Sequence, residues 1–398
     1  MRKVIKKGLR KTKSKKNSFS FRLKKNYFRR LKKKMFRVTL FMFMLALFPL
    51  QLVANGNSEQ EDFQADEYIM EHILDSYGWH ITTVIDNEIT IPLPIILFNQ
   101  GKFVCFMSSK FHNGTSAYNG YALGFTKDSK GKIVKLKGKF ADYTGVMEKD
   151  KKYSWEPVSI DISISKTVCA MLICILFMIW IFLAVANSYK RRPNKAPKGF
   201  QSMIEVIILF IRNEVAIPLI GADKYQKYFP YLLTLFFFIL LNNLMGMFPI
   251  FPGGANVTGN IAVTMILALI TFCIVSFSAK KKYWLHIINP PGVPWWLKIP
   301  LPLMPFIEII GVFTKPFVLM IRLFANMTAG HIVALGFIGL IFIFGAMTPI
   351  AGILVSPISL FFYIFMGAIE LLVAFIQAFI FTLLTALYIG MAIEEAHA

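Results

Sequence analysis

Residues 308–331, EIIGVFTKPFVLMIRLFANMTAGH, place an arginine, Arg322, near the middle of a run apolar enough to lie in a bilayer. A guanidinium group keeps its charge at every relevant pH and is costly in hydrocarbon, so intramembrane arginines usually face protein or water. Asn326 lies one helical turn further along the same face, whereas His331, nine residues on, points the opposite way. This helix therefore carries two polar surfaces, and Arg322 is a candidate functional residue.

The last apolar run, residues 357–393, complements this helix. Its middle carries two strongly polar groups, Glu370 and Gln377, which are seven residues apart and therefore lie on one helical face. An antiparallel hairpin that turns near residues 348–349 brings residues equally far from the turn to the same depth. The predicted pairs are Arg322 with Gln377, and His331 with Glu370.

The two predicted pairs differ in chemistry. One sets a fixed positive charge beside an amide, and the other sets a titratable imidazole beside a carboxylate, about 13 Å away along the helix axis. A fixed charge next to a separate pair of proton carriers indicates a proton path with a barrier in it. A plainer interpretation also fits, in which Asn326 and Gln377 are interhelical hydrogen-bond partners and Arg322 is a structural charge.

Several stretches resemble subunit a of the F-type ATP synthase. IRLFANMTAGH is similar to that family's arginine motif, ELLVAFIQAFIFTLLTALYI to its last helix, and LNNLMGMFPI with ANVTGNIAVT to an earlier hairpin. The resemblance covers about residues 165–395 in family order. It implies a non-catalytic stator subunit with two half-channels separated by Arg322, so that proton flow drives rotation of the subunit c ring and ATP synthesis. The implied partners are the subunit c ring, the subunit b peripheral stalk, the remaining ATP synthase subunits and membrane lipid.

The resemblance also assigns residues, with one departure. It implies roles in proton translocation for Arg322, His331, Glu370, Gln377 and Asn326. Many bacterial members have a glutamate at the position of His331 and a histidine at that of Glu370, so this chain has the pair exchanged. Exchange keeps one imidazole and one carboxylate at one depth and should preserve a relay. Further candidates for channel lining or an interface are Asn243, Glu308 and Lys315, although Glu308 and Lys315 also fit an interfacial position.

Composition places the chain among integral membrane proteins. It has 398 residues, 56% of them hydrophobic, and a formal net charge of +22. Residues 1–37 hold 18 of the Lys and Arg residues and no acid, and they directly precede an apolar run at residues 38–54. This pattern is typical of a signal peptide and predicts a basic n-region with a signal or anchor segment over residues 1–54. A nucleic-acid-binding tail is the weaker interpretation.

Residues 55–165 differ from the rest, being charged and without a long apolar run. A helical opening is predicted over residues 58–79, followed by β-like stretches that include ITIPLPIILF, KFVCFMSS and KIVKLKGKF, with turn signals such as Asn119-Gly120. We expect a small α+β domain that lies outside the cytoplasm, because it follows an export signal.

Residues 166–398 form the predicted membrane domain. The expected fold is an all-α polytopic membrane protein with about five membrane helices, an amphipathic helix over residues 200–220 and two long slanted C-terminal helices. The basic loop YKRRPNKAPKG and the lysines at 280–282 predict a cytoplasmic side that also holds the C-terminus. The expected location is therefore the bacterial inner (plasma) membrane.

Other classes of function have less support. The sequence contains no GxxxxGK[ST] phosphate loop and no HExxH pair, and its four cysteines lack metal-ligand spacing. We therefore expect no enzymatic activity, cofactor, metal or nucleic-acid partner. The remaining alternative is a self-contained ion channel or secondary transporter. Such proteins often contain internal repeats, and this sequence shows none.

Overall fold

The computed structural model describes residues 75–84, 87–124, 129, 131–140, 142–147, 153–191, 196–248, 253–288 and 303–393. The basic arm and the predicted signal or anchor segment lie outside these residues, and so does most of the predicted opening helix. Of that helix's last residues, Gly78 and Trp79 lie in a β-strand, so the helical prediction is wrong there. Pairing with a neighbouring strand outweighs the local helical pattern.

The described residues before the first membrane helix form ten short β-strands, which together make up what we call the β domain (residues 75–161). The strands are β1 (Gly78–Val84), β2 (Asn87–Pro92), β3 (Pro94–Asn99), β4 (Lys102–Met107), β5 (Ser116–Ala117), β6 (Tyr121–Leu123), β7 (Ile133–Leu136), β8 (Gly145–Val146), β9 (Trp155–Pro157) and β10 (Ile160–Asp161). Two 3₁₀ helices, Ser108–Gly114 and Gly138–Phe140, connect them. The expected strand content is confirmed, and no α-helix occurs among the residues described in this domain.

The strands pair in four small antiparallel sheets. β1 pairs with β2, β3 lies between β10 and β4, β7 lies between β6 and β9, and β5 pairs with β8. The stretch ITIPLPIILF is divided at Leu93 because the prolines on either side of it interrupt the ladder, and the two halves join different sheets. In β3, Ile95 and Leu97 are fully buried, as expected for alternate residues of a strand with one face on a core.

The described residues after the β domain form seven helical segments. They are α1 (Lys166–Arg191), α2 (Phe200–Phe210), α3 (Tyr225–Met247), α4 (Ile261–Ser278), α5 (Lys281–Ile288), α6 (Leu303–Met347) and α7 (Pro349–Ile393). α2 continues through a π-helical turn, Ile211–Ala216, and a last α-helical turn, Ile217–Ile220. Five of these helices (α1, α3, α4, α6 and α7) are long and apolar enough to cross a membrane, which confirms the predicted number.

The hairpin of α6 and α7 forms the C-terminal half of the helical part. Each helix has 45 residues and the turn falls at Thr348, where the sequence predicted it. At 1.5 Å per residue each helix is about 68 Å long, against a hydrocarbon thickness of about 30 Å. Each must therefore slant steeply or extend beyond the hydrocarbon.

α3 is the central helix of the buried core. Leu232, Leu235, Phe236 and Ile239 recur at helical spacing and are at most 3% exposed. Phe236 packs edge-on against Phe375 of α7, with ring centroids 5.8 Å apart. This packing holds α3 against the long hairpin and brings the C-terminal end of α3 close to the polar residues of α6 and α7.

The predicted amphipathic helix over residues 200–220 is helical in the structure. Ile204, Ile211 and Val215 are buried on one side of it. Arg212, in the π-helical turn, donates from Nε to the hydroxyl of Tyr225 at 3.1 Å. This arginine therefore has a hydrogen-bond partner within its own chain.

Candidate functional site

His331 of α6 and Glu370 of α7 face each other across the long hairpin. Nδ1 of His331 lies 2.5 Å from Oε1 of Glu370, and the two side chains are only 16% and 9% exposed. The structure thus brings these two residues together at one depth, as the hairpin register predicted. An imidazole and a carboxylate in contact can hand a proton from one to the other.

A third helix supplies an oxygen on the far side of the imidazole. Nε2 of His331 lies 3.4 Å from the carbonyl oxygen of Gly246 near the end of α3. Both ring nitrogens therefore face oxygen atoms from different helices, and the ring orientation depends on how α3, α6 and α7 sit together. The sequence offered no signal for this contact, because Gly246 and His331 are 85 residues apart.

Two glycines leave the space that the pair occupies. A methyl group built at Gly330 would lie 3.2 Å from Oε1 of Glu370, which is tighter than ordinary contact. One built at Gly246 would lie 3.4 Å from the carbonyl oxygen of Ala255 and 3.8 Å from Nε2 of His331. Larger residues at these positions would crowd the carboxylate or the imidazole directly.

Asn243, one of the sequence candidates, is fully buried beside this site. Its Nδ2 donates to the carbonyl oxygen of Ala374 at 3.3 Å, and its Oδ1 accepts a hydrogen bond from the hydroxyl of Thr258 at 2.6 Å. Ala374 lies one turn beyond Glu370 on α7. Asn243 therefore joins α3 to α7 and to the segment before α4. The role of Thr258 escaped the sequence analysis.

Arg322 lies on α6, nine residues before His331, and is half-buried. Among the residues that the structure describes, none forms an ion pair or a hydrogen bond with its guanidinium group. The nearby phenol of Tyr388 interacts with it electrostatically. A charge in an apolar helix without a bonded partner among the described residues can pair with an anionic group of another molecule.

The other predicted partners of Arg322 are not bonded to it. Gln377 is 6% exposed, and the predicted contact between its amide and Arg322 is not a hydrogen bond in this chain. Asn326, one turn beyond Arg322, is exposed. The register of the hairpin was right for His331 and Glu370, whereas no hydrogen bond joins Arg322 to Gln377.

Glu308 and Lys315 lie towards the start of α6. Nζ of Lys315 is 5.4 Å from the ring centroid of Tyr388, a cation–π distance. Burial raises the pKa of the Tyr283 phenol in α5, and the negative charge of the Glu308 carboxylate raises this pKa further. A cavity of about 20 Å³, enough for one water molecule, lies in this region. Polar groups that line it come from Thr271, Ser276, Tyr283, Lys315 and Tyr388.

These features define a class of protein: a polytopic helical membrane protein whose long hairpin carries a titratable pair and an arginine without an ion-pair partner among the described residues. The sequence model of the family described as ATP synthase A chain matches residues 168–390. The chain therefore belongs to this family, subunit a of the F-type ATP synthase, and is a membrane-sector component. A second family model, described as Domain of unknown function (DUF8433), matches residues 68–157.

Individual relatives give the same assignment. The chain is 43% identical over 249 residues to ATP synthase subunit a of Chloroherpeton thalassium, which covers 60% of this chain and 70% of the relative. It is 45% identical over 243 residues to ATP synthase subunit a 2 of Chlorobaculum tepidum, covering 60% and 65%. With ATP synthase subunit a of Myxococcus xanthus it shares 40% identity over 245 residues, covering 60% and 75%. The match to the ATP synthase A chain family lies within the helical part, and the β domain has a family model of its own.

Proposed function

We propose that this chain is the proton-conducting stator subunit of a rotary ATP synthase, in which Arg322 separates two half-channels. The observation that carries the proposal is the state of Arg322: half-buried in an apolar helix, and without a bonded counter-charge among the described residues. Membership of the subunit a family supports the same conclusion and favours it over a self-contained channel or transporter.

The polar residues on α6 mark a route on either side of Arg322. His331 and Glu370 lie about 13 Å from it along the helix axis, towards the end that carries the β domain. Lys315, which lines the small cavity, lies about 10 Å from it in the opposite direction. In this proposal each group serves one half-channel, and Arg322 stands between the two.

The charge of Arg322 explains why protons cannot cross unaided. A positive charge that cannot be removed repels a hydronium ion and favours the ionised form of a carboxylate that comes close to it. In the proposed complex that carboxylate belongs to the subunit c ring. It would pass Arg322 without a proton, having released one into one half-channel, and would take up another from the opposite side. Proton flow is then coupled to rotation of the ring, and ATP is made by other subunits.

Charge asymmetry supports an orientation in the membrane. The loop after α1 is basic, with Lys190 and Arg191 at the end of that helix, and Lys280 and Lys281 follow α4. By the positive-inside rule this side is cytoplasmic in a bacterial inner membrane. The β domain and the pair of His331 and Glu370 then lie towards the outside. The peripheral stalk, including subunit b, would hold this chain still against the rotor.

The test of this proposal is Arg322→Ala in the assembled complex, reconstituted in vesicles. We expect ATP-driven acidification of the vesicles to be lost while the ATP hydrolysis sites stay intact. Arg191→Ala is the matched control, because it removes an exposed arginine at the end of α1 and should leave acidification unchanged. Acidification that survives Arg322→Ala would end the proposal.

A second measurement separates the stator from a self-contained channel. The purified chain alone in vesicles should pass few protons, because the carrier carboxylate belongs to another subunit. Steady conduction by the isolated chain would favour the channel instead.

A further inference from the structure

The β domain is anchored to the helical part at the start of α1. Oδ1 of Asp75 accepts a hydrogen bond from the backbone N–H of Thr167 at 2.9 Å, and the N–H of Lys166 donates to the carbonyl oxygen of Ser76 at 2.8 Å. These bonds satisfy donors that the first turn of a helix leaves open. They place the following strand, β1, directly beside the first membrane helix.

The next contact reaches further, to the segment between α3 and α4. Trp79 of β1 is 2% exposed and belongs to a buried cluster with Ala170 of α1 and with Ala255 and Val257. The last two lie in the 253–260 loop, which leads into α4. One large aromatic side chain of the β domain thus packs against small apolar residues of the membrane part.

The 253–260 loop is also bonded to the site on its other side. The N–H of Gly254 donates to the carbonyl oxygen of Met245 at 3.2 Å, next to the Gly246 carbonyl that faces His331. Thr258 donates to Asn243, and the hydroxyl of Thr328, three residues before His331, donates to the carbonyl oxygen of Gly259 at 3.4 Å. The loop therefore shares a buried cluster with Trp79 on one side and is bonded to the surroundings of His331 on the other.

The 253–260 loop is rich in glycine. It contains Gly253, Gly254 and Gly259, and Gly254 has a positive φ of 76°. Glycine restricts the backbone less than any other residue, so an ordered conformation of this loop depends on its contacts. The largest side chain in the cluster of apolar contacts is Trp79.

We propose that Trp79 is a positioning residue for the site of His331 and Glu370, and that the β domain stabilises the position of the 253–260 loop. It holds the 253–260 loop against the end of α3 and thereby fixes the Gly246 carbonyl beside His331. The proposal gives a role to the β domain, whose family model is described as a domain of unknown function. It rests on the proposed function only where it links the position of the loop to proton flow.

The experiment compares three variants in the intact complex, with amide hydrogen exchange of residues 253–260 and ATP-driven acidification as the two readouts. Trp79→Ala should speed exchange in the loop roughly tenfold or more, since a large buried contact is lost. Acidification should fall by about threefold or more, since small displacements at a reacting site are costly. Trp79→Phe keeps an aromatic ring in the cluster and should recover most of both values.

Trp155→Ala is the matched control. Trp155 packs in a separate cluster of the β domain with Val134, Leu136 and Tyr153, and no residue of the helical part belongs to that cluster. The control should change neither readout. The inference is overturned if loop exchange is unchanged in Trp79→Ala, or if Trp155→Ala has the same effects, which would point to general unfolding of the domain.

A fourth variant, His331→Ala, distinguishes failure of the Trp79 proposal from failure of the proposed function. If His331→Ala abolishes acidification and Trp79→Ala does not reduce it, Trp79 is not a positioning residue for the site, and the proposed proton path is retained. If His331→Ala leaves acidification intact, the proposed path is wrong, and loop exchange in Trp79→Ala alone decides whether Trp79 positions the loop.

Discussion

Replacing Gly330 with alanine should slow proton conduction while the helix stays intact. The new methyl group would lie 3.2 Å from Oε1 and 3.5 Å from Cδ of Glu370. Carbon and oxygen atoms in ordinary contact are about 3.5 Å apart, so the carboxylate must retreat by about 0.3 Å. The same oxygen is the one in contact with Nδ1 of His331, and the retreat therefore changes the distance across which we propose that the proton is transferred.

The expected loss follows from that displacement. A shift of 1 Å at a reacting centre costs up to about 100-fold in rate, and scaling the logarithm to about 0.3 Å gives roughly fourfold. In the opposite direction, alanine in place of glycine in a helix interior stabilises by roughly 0.5–1 kcal/mol. Conduction should thus fall about fourfold while thermal stability is unchanged or higher, a combination that simple misfolding does not produce.

The assay is ATP-driven acidification of vesicles, divided by the rate of ATP hydrolysis in the same sample. The matched control is Gly336→Ala on the same helix, because a methyl group built there has no atom within 4 Å. Gly336→Ala should conduct like the unchanged protein. Equal conduction by the two variants, with both complexes fully assembled, would refute the argument that Gly330 makes room for the carboxylate.

Two further predictions concern the same site. His331→Glu and Glu370→His should each reduce acidification by roughly 100-fold, because two like groups would occupy the position of a proton-exchanging pair. Making both changes together restores one imidazole and one carboxylate, and should recover most of the activity; a double variant no better than the single ones would exclude a relay between these positions. Thr258→Val should lower the free energy of unfolding by about 1–3 kcal/mol, because it leaves the buried Oδ1 of Asn243 without its donor. Thermal unfolding of the purified complex measures this, with Thr234→Val as control, since the hydroxyl of Thr234 is exposed and bonds only its own helix; equal midpoints for the two variants would contradict it.

The sequence predicted the membrane helices and the contact between His331 and Glu370 for one physical reason. Apolar runs of sufficient length must span the bilayer, and a short turn between two such runs forces them to be antiparallel neighbours. Depth along each helix is then fixed by the residue number, so that a polar group in one run identifies its counterpart in the other. The length of the last two helices followed from the same pattern.

The local sequence predicted the strand boundaries of the β domain less well. The strands were expected, but Leu93 between two prolines divides one predicted strand between two sheets. Gly78 and Trp79 join β1 although the preceding residues favour a helix. The division at Leu93 and the strand conformation of Gly78 and Trp79 both depend on pairing with strands further along the chain. Neither hydrophobic periodicity nor residue propensity predicts that pairing.

The sequence by itself determined which residues lie in the membrane, which two polar groups meet across the hairpin, and where the unmatched charge sits. Only the tertiary structure decided that the Gly246 carbonyl faces His331, that Thr258 bonds Asn243, that Arg322 and Gln377 are not bonded, and that Trp79 of the β domain shares a buried cluster with the 253–260 loop. Helical periodicity gives the face of each helix but not its rotation against helices that are distant in sequence. Those rotations are set by packing of the whole chain, so the contacts that depend on them had to be observed.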